Sequence, residues 1–453
     1  MTQQDLAIIN GEVILAGGIA PVNIGVRNGL ITMITSGPID AKTTIDATGL
    51  AVMPGVVDEH FHVFRGFGWE THENATRAAA KGGVTTVVEM PLDRPPTLTA
   101  AALRSKLDAI RGSCHVDHAS FGGYLEQDPA EMAAMAEMGV AAFKLFTGAV
   151  APPGMYPGVD DGQALDALRR AAALGRTTTI HCENAGIVEW ETNRLIGEGR
   201  TDLAAWDEAR PWYGELAAAQ NIALIAHVAG ARAVIAHVSS PQTVEAIAAV
   251  RRGGADVWVE TCHHYLCTSK ELAGSDLRQK WNPPTRDRRS VDALWRLLAE
   301  GHVHSVASDH APAPKGLATT VWDQLPGSGN AVEIFFPVLA TQALHERGIG
   351  LERVAELVST TPARLFGLYP RKGTIAVGSD ADFVIVQTNG RRTLDARELE
   401  YHDQVKWSPF DGMELRVYPV YTVLRGALIF AEGEVTGRPG DGEHLAVGAG
   451  LTA

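Results

Sequence analysis

From about residue 51 to residue 366, short β-branched runs alternate with Ala-, Leu- and Glu-rich stretches, and this alternation restricts the chain to few folds. Strands are expected at Ala51–Val57, Val84–Met90, Val116–Phe121, Val140–Phe146, Thr177–His181, Ala233–His237, Asp256–Glu260 and Val303–Ser308. Helical stretches follow most of them, among them Ala130–Glu137, Asp160–Ala173, Pro241–Arg251 and Val291–Leu298. A strand that returns through a helix lies parallel to the one before it, and eight such units close into an α/β fold, the (β/α)8 barrel. A doubly wound open sheet is the competing arrangement. No Gly-x-Gly-x-x-Gly follows an early strand to support it.

The chain ends have a different texture. Asn10-Gly11 and Asn28-Gly29 each separate β-rich runs, and Asn-Gly between such runs signals a hairpin. Ala381 to Val386, Val417 to Arg425 and Ala427 to Phe430 are again β-rich. A length of 453 residues holds one barrel of about 250–300 residues and a smaller domain. The division expected is 1–50 as the first part of a small β-sandwich, 51–366 as the barrel, and 367–453 as the rest of the sandwich with a tail.

A net charge of −14, spread along the chain, argues against a nucleic-acid partner, which needs a basic patch. No uncharged apolar stretch reaches the ~18 residues of a membrane span. Met1-Thr2-Gln3-Gln4-Asp5 is not a basic region leading into an apolar run, so no signal peptide is expected. Cys114, Cys182, Cys262 and Cys267 fit neither a zinc-ribbon spacing nor a disulfide framework. A cytoplasmic chain with reduced thiols is the expectation.

In a barrel of this kind, chemistry resides at the C-terminal ends of the strands. The first strand runs into His60 and His62, two residues that share a face on extended backbone. The fourth contains Lys144, the fifth ends in His181, the sixth in His237, and the eighth leads to Asp309. Each has a plainer reading. His181 and His237 could bond locally, and Asp309 could cap the segment after it. Lys144 could extend its ammonium to the barrel mouth. Alternatively, burial keeps its amine neutral, and a neutral amine takes up carbon dioxide to form a carbamate with two oxygen donors. His227 reads as a helix-packing residue. His263 or His264 could line the pocket, and His115, His118, His302 and His304 read as structural.

Taken together, these residues resemble the cyclic amidohydrolases of the amidohydrolase superfamily. Pro54-Gly55-Val56-Val57-Asp58-Glu59-His60-Phe61-His62 is similar to that family's opening metal motif. Lys144 falls where the family has its carboxylated lysine. His181-Cys182-Glu183-Asn184, His237-Val238-Ser239-Ser240 and Ser308-Asp309-His310-Ala311-Pro312 resemble its later ligand segments. Within the family, Arg77-Ala78-Ala79-Ala80-Lys81-Gly82-Gly83-Val84-Thr85-Thr86 and Pro283-Pro284-Thr285-Arg286-Asp287 look most like allantoinases. Ser408-Pro409-Phe410-Asp411-Gly412-Met413 and Gly329-Asn330 look more like hydantoinases and dihydropyrimidinases. Two positions depart from the pattern: Asn282 stands where Ser is usual, and His263 where Pro is usual. A dihydroorotase pattern has Arg two residues after the second histidine, whereas this chain has Phe64 there and Arg65 one further on.

The resemblance implies two divalent metal ions, Zn2+ or else Co2+, Mn2+ or Fe2+. It places His60, His62 and Asp309 on one ion, His181 and His237 on the other, and N6-carboxylysine at Lys144 on both. Asp309 is also the implied proton carrier. Asn282 and Asn330 are candidates for contact with a small cyclic ureide or amide substrate, although Asn330 could equally serve a turn. A homotetramer is implied as well. Two other classes stay open: a non-catalytic barrel scaffold, which would have replaced such ligands, and a mononuclear deaminase-type barrel, which needs no lysine at position 144.

Overall fold

Neither chain end can bury its apolar strand faces alone, and the two ends fold together. The structure is a computed structural model and describes residues 3–126, 128–148, 156–316, 318–329, 331–400 and 406–448. One sheet has four strands, Gln4–Ile9, Asn23–Arg27, Leu30–Thr35 and Ala41–Asp46. A seven-stranded sheet takes Glu12–Leu15, Gly18–Pro21 and Ala51–Pro54 from the front of the chain. Phe383–Gln387, Tyr418–Leu424, Ala427–Ala431 and Glu434–Val435 join it from the back. Leu6, Ile24 and Val26 of the first sheet share one buried cluster with Val13, Val52, Phe383 and Val423 of the second. That shared core makes the two sheets a sandwich.

The two Asn-Gly pairs differ in outcome. Asn28 and Gly29 have φ of +52° and +77° and close a two-residue hairpin in which Arg27 pairs with Leu30. Asn10-Gly11 is not a hairpin, because Gln4–Ile9 and Glu12–Leu15 lie in different sheets and the turn carries the chain between them. Glycine is required at that crossing: a Cβ on Gly11 would stand 2.7 Å from Val52 Cγ2 and 2.9 Å from Ala47 Cβ.

The barrel strands are Val56–Phe61, Val84–Glu89, Asp117–Gly123, Ala142–Phe146, Thr177–His181, Ala233–Ile235, Val257–Cys262 and Ser305–Ala307. They follow one another around one parallel sheet. A parallel bridge between Phe61 and His310 brings the first strand to the eighth, with the His62 N–H donating to the His310 carbonyl at 2.8 Å. The expected first strand, Ala51–Val57, is in fact two. Ala51–Pro54 pairs antiparallel with Phe383–Gln387 in the sandwich, and the barrel begins at Val56. Gly55 makes the break, since a Cβ there would lie within 2.9 Å of three Thr85 side-chain atoms. Four strands are shorter than expected, and two of them lose ends that matter for the site. The sixth ends at Ile235 and the eighth at Ala307, which leaves His237 and Asp309 just beyond them.

Charge holds the sandwich to the barrel. Lys372 Nζ lies 2.8 Å from Asp380, 2.6 Å from Asp382 and 2.5 Å from Asp117, the residue that opens the third barrel strand. All four residues are buried, and Arg425 also contacts Asp117. Removing the lysine would leave Asp382 buried without a cation beside Asp117 and Asp380, which keep only Arg425 and Arg371. Lys372→Met should therefore lower stability by about 3–5 kcal/mol, to be read as the shift of a urea unfolding curve.

Candidate metal centre

Strand alternation sets the first pair of ligands. His60 lies within the first barrel strand and His62 just past its end, with ring centroids 5.3 Å apart. Asp309 faces both: its Oδ1 is 3.4 Å from His60 Nε2 and 3.5 Å from His62 Nε2. Across the mouth, His181 Nδ1 lies 3.0 Å from His237 Nε2. The two groups adjoin, with His60 and His237 rings 5.2 Å apart. His237 and Asp309 have φ of +40° and +46°, a left-handed backbone that non-glycine residues adopt at a cost of about 1–3 kcal/mol. The departure from strand geometry turns both side chains into the mouth. Ser328 Oγ donates to the Asp309 carbonyl and helps hold that conformation.

Lys144 completes the ring of donors. It is wholly buried in the middle of Ala142–Phe146, and its Nζ has no hydrogen-bond partner among the described residues. Reaching solvent, the alternative open from the sequence, is not what it does. Burial lowers its pKa to about 8, against the opposing pull of the Glu260 and Asp309 carboxylates. Burial likewise pushes His60 and His237 well below the usual imidazole range, with Lys144 and neighbouring rings adding to the effect. Both rings are thus neutral, the form that binds a metal. Burial alone would raise the Asp309 carboxyl, but His60, His62 and Lys144 together hold it below its ordinary value.

Do these residues fit metal ions? Neutral imidazoles, one ionised carboxylate and an amine without a hydrogen-bond partner line one cleft. His60, His62 and Asp309 offer donor atoms that all lie within 4.8 Å of one another. That donor set suits Zn2+ and related divalent ions. By contrast, the acid cluster of Asp117, Asp380 and Asp382 is already answered by Lys372.

Two acids behind the ligands were not anticipated. Glu260 Oε1 is 2.7 Å from His60 Nδ1 and accepts the His237 N–H at 2.9 Å. Glu183 Oε2 lies 3.0 Å from His181 Nε2, with Arg210 at 3.8 Å. Glu260 is the last residue of the strand expected at Asp256–Glu260, so its position at a strand end is a signal present in the sequence. A cleft of about 610 Å³ opens over the cluster. Phe64, Trp69, Leu92 and Phe146 give it an apolar wall, while Asn282, Leu325, Pro326 and Gly327 form other parts of its lining.

Asn282 thus lines the cleft, as expected of a substrate contact, whereas Asn330 lies outside the described residues. His227 is exposed on the helix Trp212–Ala229, so the packing role expected of it does not hold. His263 and His264 are buried in the short helix His263–Cys267, and a ring nitrogen of His264 lies within 4.8 Å of an Asp309 oxygen.

A parallel barrel with this set of side chains at its C-terminal mouth is a barrel hydrolase. Residues 51–428 match the amidohydrolase family, and the chain belongs to that family. It is 35% identical over 437 residues to an allantoinase from Escherichia coli O139:H28, covering 94% of this chain and 95% of that protein. Among solved structures, the L-hydantoinase (dihydropyrimidinase) from Arthrobacter aurescens superposes with a TM-score of 0.92 at 32% identity, covering 98% of this chain and all of that one. The dihydropyrimidinase from Brevibacillus agri gives a TM-score of 0.90 at 27% identity, covering 98% of each chain. With such relatives along almost its whole length, this enzyme is a cyclic amidohydrolase.

His227 and His181 make a direct contrast. His227→Ala should leave stability within about 0.5 kcal/mol and turnover unchanged. His181→Ala should lose bound metal and activity, as metal analysis beside a turnover assay would show.

Proposed function

We propose that the enzyme opens the ring of allantoin to give allantoate, using two divalent metal ions at the barrel mouth. The observation that carries this reading is one cleft lined by His60, His62 and Asp309, which face one another, by the adjoining pair His181 and His237, and by Lys144. The allantoinase relative, matched along nearly the whole chain, supports the choice of ring. Held by these residues, with Lys144 carboxylated and shared between them, the two ions would acidify a water molecule and polarise the ring carbonyl.

The remaining steps belong to the chain. Asp309, whose carboxylate faces His60 and His62, accepts a proton from the attacking water. The water oxygen bonds to the carbonyl carbon and the ring C–N bond breaks. Asp309 then returns the proton to the departing nitrogen, so that one carboxylate serves as base and then as acid. Asn282, which lines the cleft, bonds the ring amide through its backbone. The apolar wall excludes bulk water from the reacting centre.

That same wall favours a second reading. Phe64, Trp69, Leu92 and Phe146 suit an apolar substituent better than the ureido group of allantoin, which supports hydantoinase or dihydropyrimidinase activity on 5-substituted hydantoins. A panel of allantoin, hydantoin, a 5-benzylhydantoin, dihydrouracil and dihydroorotate separates the readings by kcat/KM. Allantoin should lead, and faster opening of the benzylhydantoin would assign the enzyme to the second reading.

Location and assembly complete the proposal: a cytoplasmic homotetramer. None of the helices described is long and apolar enough to cross a membrane. Trp190, Leu224 and Val228 are 74%, 60% and 63% exposed on two helices, apolar surface that a partner subunit would cover.

Lys144→Ala should strip the bound metal and lower turnover by at least about 100-fold, since even partners behind a metal ligand are worth 10–100-fold. Short carboxylic acids should restore part of the activity, and wild-type metal content and turnover in the variant would rule out the carbamate. The direction of its pH dependence also follows. Below about 8 the Lys144 amine is mostly protonated and cannot attack carbon dioxide; above it the neutral amine prevails. Reloading of metal-free enzyme with Zn2+ should accelerate with added bicarbonate and as pH rises through 8.

A further inference from the structure

Glu260 is fully buried in the seventh barrel strand, Val257–Cys262, beneath both halves of the ligand cluster. A single oxygen, Oε1, meets His60 Nδ1 at 2.7 Å and the backbone N–H of His237 at 2.9 Å. We propose that Glu260 is a positioning residue that ties the two ion sites together, one oxygen setting the ring of His60 on the first and the backbone of His237 on the second. The inference rests on the binuclear reading above and assigns a task within it.

Three observations support this role. First, an imidazole held through Nδ1–H by a carboxylate must present Nε2 as its lone-pair nitrogen, and His60 Nε2 is the atom that faces Asp309. Second, His237 is in a left-handed conformation two residues beyond the end of the sixth strand, and something must hold it there. Glu260 does so twice: its side chain accepts the His237 N–H, and its carbonyl accepts the Val238 N–H at 2.8 Å. Third, a second buried acid backs Glu260: Glu59, on the first strand, interacts with it and accepts a hydrogen bond from Ser305 through Oε1, which leaves its Oε2 without a partner.

The brace predicts which substitution the site tolerates. Glutamine keeps an acceptor oxygen for His60 and His237 and turns its amide toward Glu59, which can receive it. Leucine matches the volume and supplies no acceptor. Metal content and zinc affinity, measured by competition with a chromophoric chelator, should therefore separate the variants. Glu260→Leu should weaken both ions together by about 10–100-fold, and Glu260→Gln should hold both near wild-type affinity. Cobalt-loaded Glu260→Leu should also show an altered visible spectrum. His60→Ala serves as the control for the binuclear reading: if it keeps its full complement of metal, that reading fails on its own. If His60→Ala loses metal while Glu260→Leu binds both ions as the wild type does, the clamp is wrong. It is equally wrong if Glu260→Gln is as impaired as Glu260→Leu. Should Glu260→Leu not fold, nitrogen-15 NMR of the metal-free wild type decides: His60 protonated on Nδ1 is the result expected, and protonation on Nε2 overturns the proposal.

Discussion

An amine buried in a β-strand without an acid to pair with is the constraint on which the rest of this site depends. Lys144 is enclosed on every side, and the nearest charged oxygens belong to Asp309 and Glu260, neither close enough to form an ion pair with it. A lysine left in that state opposes folding. In the proposed reading, conversion to a carbamate exchanges a poorly solvated cation for an anion and gives the cluster a second one beside Asp309. The histidines around it are poor proton acceptors for the same reason: burial keeps His60 and His237 neutral, with lone pairs available. On that reading, a cost to the metal-free chain becomes affinity for metal.

The fold supplies the precision this arrangement requires. Gly55 breaks one apolar run into a sandwich strand and a barrel strand, so the register of His60 and His62 is pinned at its start to the small domain. Closure between Phe61 and His310 then fixes His62 against the segment that carries Asp309. On the other side of the mouth, strands five and six bring His181 and His237 side by side. Behind them, Glu183 and Glu260 occupy ring nitrogens that do not face the cluster. The site is thus built on strands and short extensions of strands, which move less than long loops do.

Much of this was legible in the chain. Runs of β-branched residues between helical stretches specify a parallel barrel, and polar residues at the ends of those runs pick out His60, His62, His181, His237 and Asp309. Lys144 stood out because lysine seldom lies mid-strand. What could not be read depended on tertiary context. Ala51–Val57 looks like one strand because both halves are apolar, and only packing against Thr85 shows why Gly55 interrupts it. Asn10-Gly11 has the composition of a hairpin, yet its flanking strands find better partners in separate sheets. Glu260 ends an expected strand, but its significance lies in a His60 nitrogen supplied by a distant strand, and Glu183 gains its own only where His181 turns a ring nitrogen back toward it. The ring substrate is harder still, because the cleft wall combines residues from several separate segments, including Phe64, Leu92, Phe146 and Leu325.

The central claim is that two ions sit at the barrel mouth on one shared, carboxylated lysine. A crystal structure of the zinc-loaded enzyme, with anomalous data collected on both sides of the zinc edge, tests it most directly. Two anomalous peaks should appear, one among His60, His62 and Asp309 and one between His181 and His237, with forked density extending from Lys144 Nζ to both. A single peak, or a lysine side chain that ends at its amine while both peaks are present, would contradict it.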